Sequence, residues 1–219
     1  MKIFLDTSDV DVIKHYYQTG LIDGVTTNPT LMMQAGRNPV DIISEISDYF
    51  PEDASVSAEV VADTAEEMIS QAKQYYSISS NVTIKVPCTY EGLKACKKLS
   101  SNDIPVNVTL IFSLNQAILA AKSGARYVSP FVGRCEDNDI DGVGLISSIH
   151  NVLKMHDFND RCSILSASIR SVDHVNKVFE NGTDIATLPP SIFEEMYQHY
   201  LTNEGLLQFD KDWKKVTHQ

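Results

Sequence analysis

Lys2-Ile3-Phe4-Leu5-Asp6-Thr7-Ser8 is a strand-length run that ends on small polar residues. A doubly wound open sheet places a Gly-rich phosphate turn, G-x-G-x-x-G, after its first strand. The turn here is Asp6-Thr7-Ser8 and contains no glycine. Outward from it, strand-like runs recur at Gly24–Thr27, Ser55–Val60, Val82–Val86, Pro105–Leu110, Tyr127–Pro130, Ser163–Ala167 and Asp184–Thr187. Stretches with helical spacing alternate with them, as at Thr64–Tyr76, Glu91–Leu99, Ser113–Ser123, Val172–Glu180 and Ile192–Leu201. The first helix is expected to start at Ser8, where Asp9 and Asp11 suit the positive end of its dipole. Eight strand–helix units in 219 residues leave roughly 27 residues per unit, near the compact end for a (β/α)₈ chain. The expected fold is α/β: a (β/α)₈ TIM barrel over residues 1–202, with an extra C-terminal helix in residues 203–219.

The charge balance is 18 − 29 = −11, which excludes a sequence-independent nucleic-acid binder and a polybasic membrane-surface protein. No apolar stretch approaches the ~20 residues of a membrane span. Met1–Asp6 lacks the apolar length of a secretory signal and is read as part of the mature fold. Cys88, Cys96, Cys135 and Cys162 form no C-x-x-C pair or zinc spacing, so reduced thiols and a cytoplasmic location are expected. The tail carries Leu206, Leu207, Phe209 and Trp213. That spacing suits a short amphipathic helix, which either caps one barrel end or contacts another subunit.

Polar residues at the carboxyl ends of barrel strands face the active site. Those ends supply Asp6, Thr26 with Asn28, Glu59, Lys85, Asn107 with Thr109, Ser129 with Phe131, and Ser166 with Ser168. None is a histidine, and His15, His150, His156, His174, His199 and His218 show no ligand spacing. Metal hydrolysis and a Ser-His-Asp mechanism are therefore disfavoured, and no metal or organic cofactor is expected.

In Val82-Thr83-Ile84-Lys85-Val86, alternation puts Thr83 and Lys85 on one face. Facing inward, a desolvated lysine is freed as a nucleophile for Schiff-base chemistry on a carbonyl. The competing reading is a strand lysine that snorkels to water. Asp6 and Glu59 are suited to proton transfer, against a helix cap and a solvated rim carboxylate. Arg134 and Arg170 follow the sixth and seventh strands, where barrels often bind phosphate, against surface arginines paired with acids.

Several stretches, taken together, carry a resemblance. They are F-L-D-T at Phe4–Thr7, G-V-T-T-N-P-T-L at Gly24–Leu31, A-E-V at Ala58–Val60 and I-K-V-P-C-T-Y-E-G-L-K-A at Ile84–Ala95. N-V-T-L-I-F-S at Asn107–Ser113, S-P-F-V-G-R at Ser129–Arg134, A-S-I-R at Ala167–Arg170 and T-L-P-P at Thr187–Pro190 follow, with Phe209–Trp213 in the tail. In this order and register the chain resembles the small transaldolase and fructose-6-phosphate aldolase family, class I aldolases with a (β/α)₈ fold.

The resemblance implies that Lys85 is the Schiff-base lysine and that Asp6 moves the proton of the hydroxyl beside the cleaved bond. It implies that Glu59 and Thr109 hold a catalytic water. Asn28, Asn107 and Ser129 match groups that bind the dihydroxyacetone moiety, and Arg134, Ser168 and Arg170 match the phosphate contacts. Thr26 stands near this set, and Ser166 is a further candidate for the substrate site. Transaldolases of the family resemble each other in a glutamate and a phenylalanine where the aldolases tend to have glutamine and tyrosine. Glu59 and Phe131 are the transaldolase pair. Ile169 departs from the motif, which often has an aromatic residue there. The implied activity is transfer of a dihydroxyacetone unit from a ketose phosphate to an aldose phosphate, with an aldolase that releases free dihydroxyacetone as the alternative. The implied assembly is a homo-oligomer, a pentamer or a decamer.

Overall fold

The computed structural model describes residues 1–217. Eight parallel strands close on themselves in chain order: β1 (Lys2–Asp6), β2 (Gly24–Thr26), β3 (Ser55–Glu59), β4 (Val82–Pro87), β5 (Val106–Ile111), β6 (Tyr127–Pro130), β7 (Ser163–Ser166) and β8 (Ile185–Leu188). β8 returns to β1, with Lys2 opposite Ile185 and Leu5 opposite Leu188, so the sheet has no open edge. The expected (β/α)₈ barrel is the observed fold, and every strand bound falls within one residue of the expected one.

The helices follow their local chemistry. α1 (Val10–Tyr17) starts two residues later than expected, because the Asp9 side chain caps it, accepting from the backbone N–H of Asp11 and Val12. The Ser8 hydroxyl instead donates to the carbonyl of Leu31 and ties this turn to the next helix. Two Asn-Pro pairs start α2 (Pro29–Ala35) and α3 (Pro39–Ser47), each with asparagine as cap and proline in the first turn. Thr64 and Glu67 form a reciprocal capping box on α4 (Ala65–Tyr76). α5 (Tyr90–Ser100) and α6 (Leu114–Ser123) follow in turn. The sixth unit carries a short α7 (Val132–Glu136) and the longer α8 (Gly142–Met155), and α9 (Val172–Glu180) leads to β8.

Outward strand residues such as Leu5, Val25, Val56, Ile84, Val108 and Val128 are fully covered by helices. Each such aliphatic side chain contributes about 1.5–3 kcal/mol by leaving water. Inside the barrel, Phe4, Tyr127, Leu165 and Ile185 form a separate apolar plug. Gly24 makes room for it: a Cβ there would stand 2.8 Å from the Phe4 ring and 2.5 Å from the Ser55 carbonyl oxygen. Above the plug, toward the carboxyl ends of the strands, the interior turns polar. That change of layer is where the candidate site begins.

The tail differs in its bounds. The expected helix Ile192–Leu201 divides into α10 (Pro190–Met196) and α11 (Tyr200–Thr217). The expected tail 203–219 is thus the greater part of a helix that begins at Tyr200, and His218 and Gln219 lie outside the described residues. No residue of α11 is buried, and Leu207 and Phe209 are each 72% exposed. Among the described residues no helix is long and apolar enough to cross a membrane.

Candidate active site

Register builds the site. Glu59 lies opposite Lys85 across β3 and β4, and Lys85 opposite Asn107 across β4 and β5. Paired residues on parallel neighbours share a face, so the three side chains form one inward row. Asp6 lies opposite Thr26 in the same way.

Lys85 is 5% exposed. Its ammonium stands 3.0 Å from Glu59 Oε2 and donates to the Thr27 carbonyl oxygen at 3.1 Å. The snorkelling alternative is therefore excluded: this lysine ends inside the barrel. On the other side of the cavity, Thr26 Oγ1 donates to Asp6 Oδ1 at 2.7 Å and lies 2.6 Å from Thr187 Oγ1. A hydroxyl has one proton to give, so with Asp6 ionised Thr187 donates to Thr26. Burial pushes the Asp6 carboxyl above its ordinary value, while the charge of Lys85 and the Thr26 hydrogen bond pull it back down. Ser129 Oγ donates to Asn107 Oδ1 at 2.7 Å, and Asn107 Nδ2 donates to Ser57 Oγ at 3.3 Å.

These groups surround a cavity of 150 Å³ lined by Asp6, Thr26, Asn28, Lys85, Asn107 and Ser129, with Phe131, Arg134, Ser168 and Thr187 toward its mouth. Asn28 uses its Oδ1 to cap α2, leaving its amide N–H groups for a ligand. The Arg134 guanidinium lies over the Phe131 ring at 5.0 Å, and Phe112 meets that ring edge-on. A larger hollow of 610 Å³ lies beside the β1–α1 turn, lined by residues such as Asp9, Gln34, Arg37 and Glu45. Its lining has neither a lysine nor a cysteine, so the smaller cavity, with its buried amine, is the chemical one.

Ten of the thirteen expected residues thus touch the cavity or its lysine: nine line its wall, and Glu59 is held against Lys85. Thr109 is buried beyond the wall, and its hydroxyl has no hydrogen-bond partner among the described residues. Ser166 requires a correction. Leu165 and Ala167 line the cavity, so the intervening Ser166 points the other way, where its hydroxyl meets Thr183 Oγ1 at 2.8 Å. Arg170 also stands off the cavity, with both terminal nitrogens on the Asp137 carboxylate. That fork holds the Asp137 carboxyl below its ordinary value. Ile169 is buried in the main core and takes no part in the cavity wall.

Thr187, Ser57 and Thr27 were missed as site residues. Period-two alternation from the plug residue Ile185 would have turned Thr187 inward. The carbonyl of Thr27 leaves no signal in sequence. All four cysteines are free thiols, and burial pushes Cys96 up to about 11 and Cys162 up to about 12. Among the described residues no group of His, Cys, Asp or Glu could hold a metal ion.

The family model for transaldolase/fructose-6-phosphate aldolase matches residues 3–219. A probable transaldolase of Nitrosopumilus maritimus is 49% identical over 99% of this chain and 96% of its own length. One of Chelativorans sp. is 48% identical over 99% and 98%, and one of Lactiplantibacillus plantarum 46% over 98% and 97%. Among solved structures, thiamine phosphate pyrophosphorylase from Pyrococcus furiosus superposes with a TM-score of 0.59 at 14% identity, covering 89% of this chain and 93% of that one. A flavocytochrome b2 variant with pyruvate bound gives 0.63 at 12% identity, over 87% of this chain and 56% of that one. At these identities the two structures share the barrel alone.

Proposed function

This chain belongs to the transaldolase/fructose-6-phosphate aldolase family, and from that premise we propose that it is a transaldolase working through a Schiff base on Lys85. The observation that carries the reading is a lysine amine buried in a polar cavity beside two carboxylates, Glu59 and Asp6. An amine so placed attacks the ketone of fructose 6-phosphate or sedoheptulose 7-phosphate. The carbinolamine loses water and becomes an iminium, with Glu59 Oε2 placed to exchange protons with the nitrogen. Asp6 takes the proton of the hydroxyl beside the scissile bond. As the carbon–carbon bond breaks, its electron pair moves to the iminium nitrogen and an aldose phosphate leaves. The three-carbon enamine remains on Lys85 and adds to glyceraldehyde 3-phosphate or erythrose 4-phosphate, with Asp6 returning its proton.

Asn28, Asn107 and Ser129 bind the hydroxyls of the three-carbon unit, and Thr26 and Thr187 orient Asp6. Thr109 offers Glu59 a partner for holding the water used in iminium formation and hydrolysis. Arg134, Ser168 and Arg170 receive the phosphate. Phe131 has no hydroxyl with which to protonate the enamine carbon, which favours survival of the enamine until an acceptor arrives. The exposed apolar side chains of α11 form a subunit contact in a homo-oligomer, a pentamer or a decamer, and light scattering tests that. The expected location remains cytoplasmic.

Borohydride reduction in the presence of fructose 6-phosphate tests the central step. A dihydroxyacetone-sized mass added to the Lys85 peptide is expected, and its absence overturns the mechanism. Release of free dihydroxyacetone at the same rate with and without erythrose 4-phosphate would assign the chain to the aldolase branch instead.

A further inference from the structure

The Arg170 guanidinium is engaged by Asp137, the residue that follows α7, and not by the cavity wall. The same short helix carries Arg134, which does line the cavity. The two cations proposed to share a phosphate are therefore split, one facing inward and one held outward. Neighbouring groups explain why Asp137 holds it alone. Glu136 is taken by His174 at 2.8 Å, and the stem of Arg170 is pressed against Gly133. The Gly133 N–H donates to the Ser168 carbonyl oxygen at 3.0 Å, joining α7 to the loop that bears Arg170.

The two partners are 50% and 47% exposed. Such a pair is screened by water and readily exchanged. A carboxylate and a phosphate monoester offer a guanidinium the same bidentate face, but the phosphate carries more charge and a third oxygen. We propose that Asp137 is an internal stand-in for phosphate: it positions Arg170 away from the cavity in the free protein and yields it when a phosphorylated sugar arrives. This rests on the phosphate role given above to Arg170. A transfer between two phosphorylated sugars must release one phosphate and admit another while the enamine persists. A built-in competitor lowers the affinity for both and shortens their stay. Asp137 is thus a positioning residue for phosphate exchange, acting through Arg170.

Calorimetric titration of inorganic phosphate into the full-length protein tests this. Asp137→Asn is expected to bind phosphate about two- to fivefold more tightly than the parent, the size of effect an exposed ion pair exerts. Asp137→Glu, which keeps the fork, is expected to stay near the parent. Asp139→Asn removes the same charge from the same loop without a contact to Arg170 and is expected to change affinity less. In kinetics, Asp137→Asn is expected to raise the ratio of KM for glyceraldehyde to KM for glyceraldehyde 3-phosphate. Equal or weaker phosphate binding by Asp137→Asn, an equal gain in Asp139→Asn, or no phosphate binding in any of them overturns the proposal. The borohydride adduct on Lys85 is read separately. An adduct with unchanged phosphate binding removes the stand-in alone, and tighter binding without an adduct removes the transaldolase reading alone.

Discussion

Lys85 Nζ stands 3.0 Å from Glu59 Oε2 across two strands in register, and the pair is almost wholly buried. Breaking a buried ion pair from one side leaves the other charge uncompensated. Lys85→Met is therefore expected to abolish the borohydride adduct and to lower transfer by at least about a thousandfold, as loss of a covalent nucleophile does. It also takes from Glu59 its ion-pair partner and from Asp6 the nearby positive charge. A stability loss of about 3 kcal/mol is expected at pH 7, and it should shrink on acidification as Asp6, whose charge Lys85 otherwise favours, takes up its proton. Chemical denaturation at two pH values measures it. Wild-type transfer rates in Lys85→Met would sink the assignment of the nucleophile.

Asp6 works at some expense to the fold. Burial raises its carboxyl above the ordinary 3.8 more than Lys85 and Thr26 lower it. The folded chain then holds this proton more tightly than the unfolded one. The associated stability is complete below 3.8 and is lost as pH rises through the higher folded value. At pH 7 the charged form is a burden. Asp6→Asn is expected to lose transaldol transfer while raising Tm at pH 7 by a few degrees, each 1 kcal/mol being about 2–4 °C in a chain of this length. A lower Tm in Asp6→Asn at pH 7 would count against this balance of burial and charge.

The Thr26 hydrogen bond lowers the Asp6 carboxyl, so its removal has a defined sign. Thr26→Val raises that carboxyl further and moves the acidic limb of the pH–rate profile to higher pH. Thr187→Val leaves the Thr26–Asp6 bond in place but strips Thr26 of its own donor. It is expected to cost about 1 kcal/mol of stability with a smaller movement of the limb. Equal shifts in both variants would contradict the relay Thr187–Thr26–Asp6.

The residues legible in the sequence and those that were not differ in one physical respect. Lys85, Asp6 and Asn107 were readable because period-two alternation fixes the face of a strand residue once its strand is placed. The same rule would have rejected Ser166, had Leu165 been recognised as an inward plug residue. The second helix of the β2–β3 unit had its signal in Asn38-Pro39, which the strand-and-helix pattern passed over. The Arg170–Asp137 fork lies beyond such rules. Its partners are 33 residues apart on different loops, and any of the chain's 29 acids competed for that arginine.

Phe131 lines the cavity with its ring held between Phe112 and Arg134. A hydroxyl on that ring would enter the cavity near the enamine and offer it a proton. Phe131→Tyr is expected to raise acceptor-independent release of dihydroxyacetone by about a hundredfold, the lower end of what a positioned general acid contributes. A coupled dihydroxyacetone assay reads this directly. An unchanged ratio of release to transfer would separate the Phe131 position from the choice between the two reactions.

Gly133 decides whether the phosphate residues stay together. A Cβ there would stand 2.4 Å from the Ser168 carbonyl oxygen and 2.8 Å from Arg170 Nε, closer than atoms tolerate. Ser168 has a φ of 57°, so its backbone is already in the left-handed region and has little freedom to yield. Gly133→Ala must therefore push the β7–α9 loop and α7 apart, at about 1–3 kcal/mol. Lys85, Asp6 and Asn107 sit on strands and are not pushed. KM for glyceraldehyde 3-phosphate is expected to rise about tenfold, while borohydride trapping of the Lys85 adduct at saturating fructose 6-phosphate persists. Loss of the adduct at full saturation would show that the two parts of the site are not separable in this way.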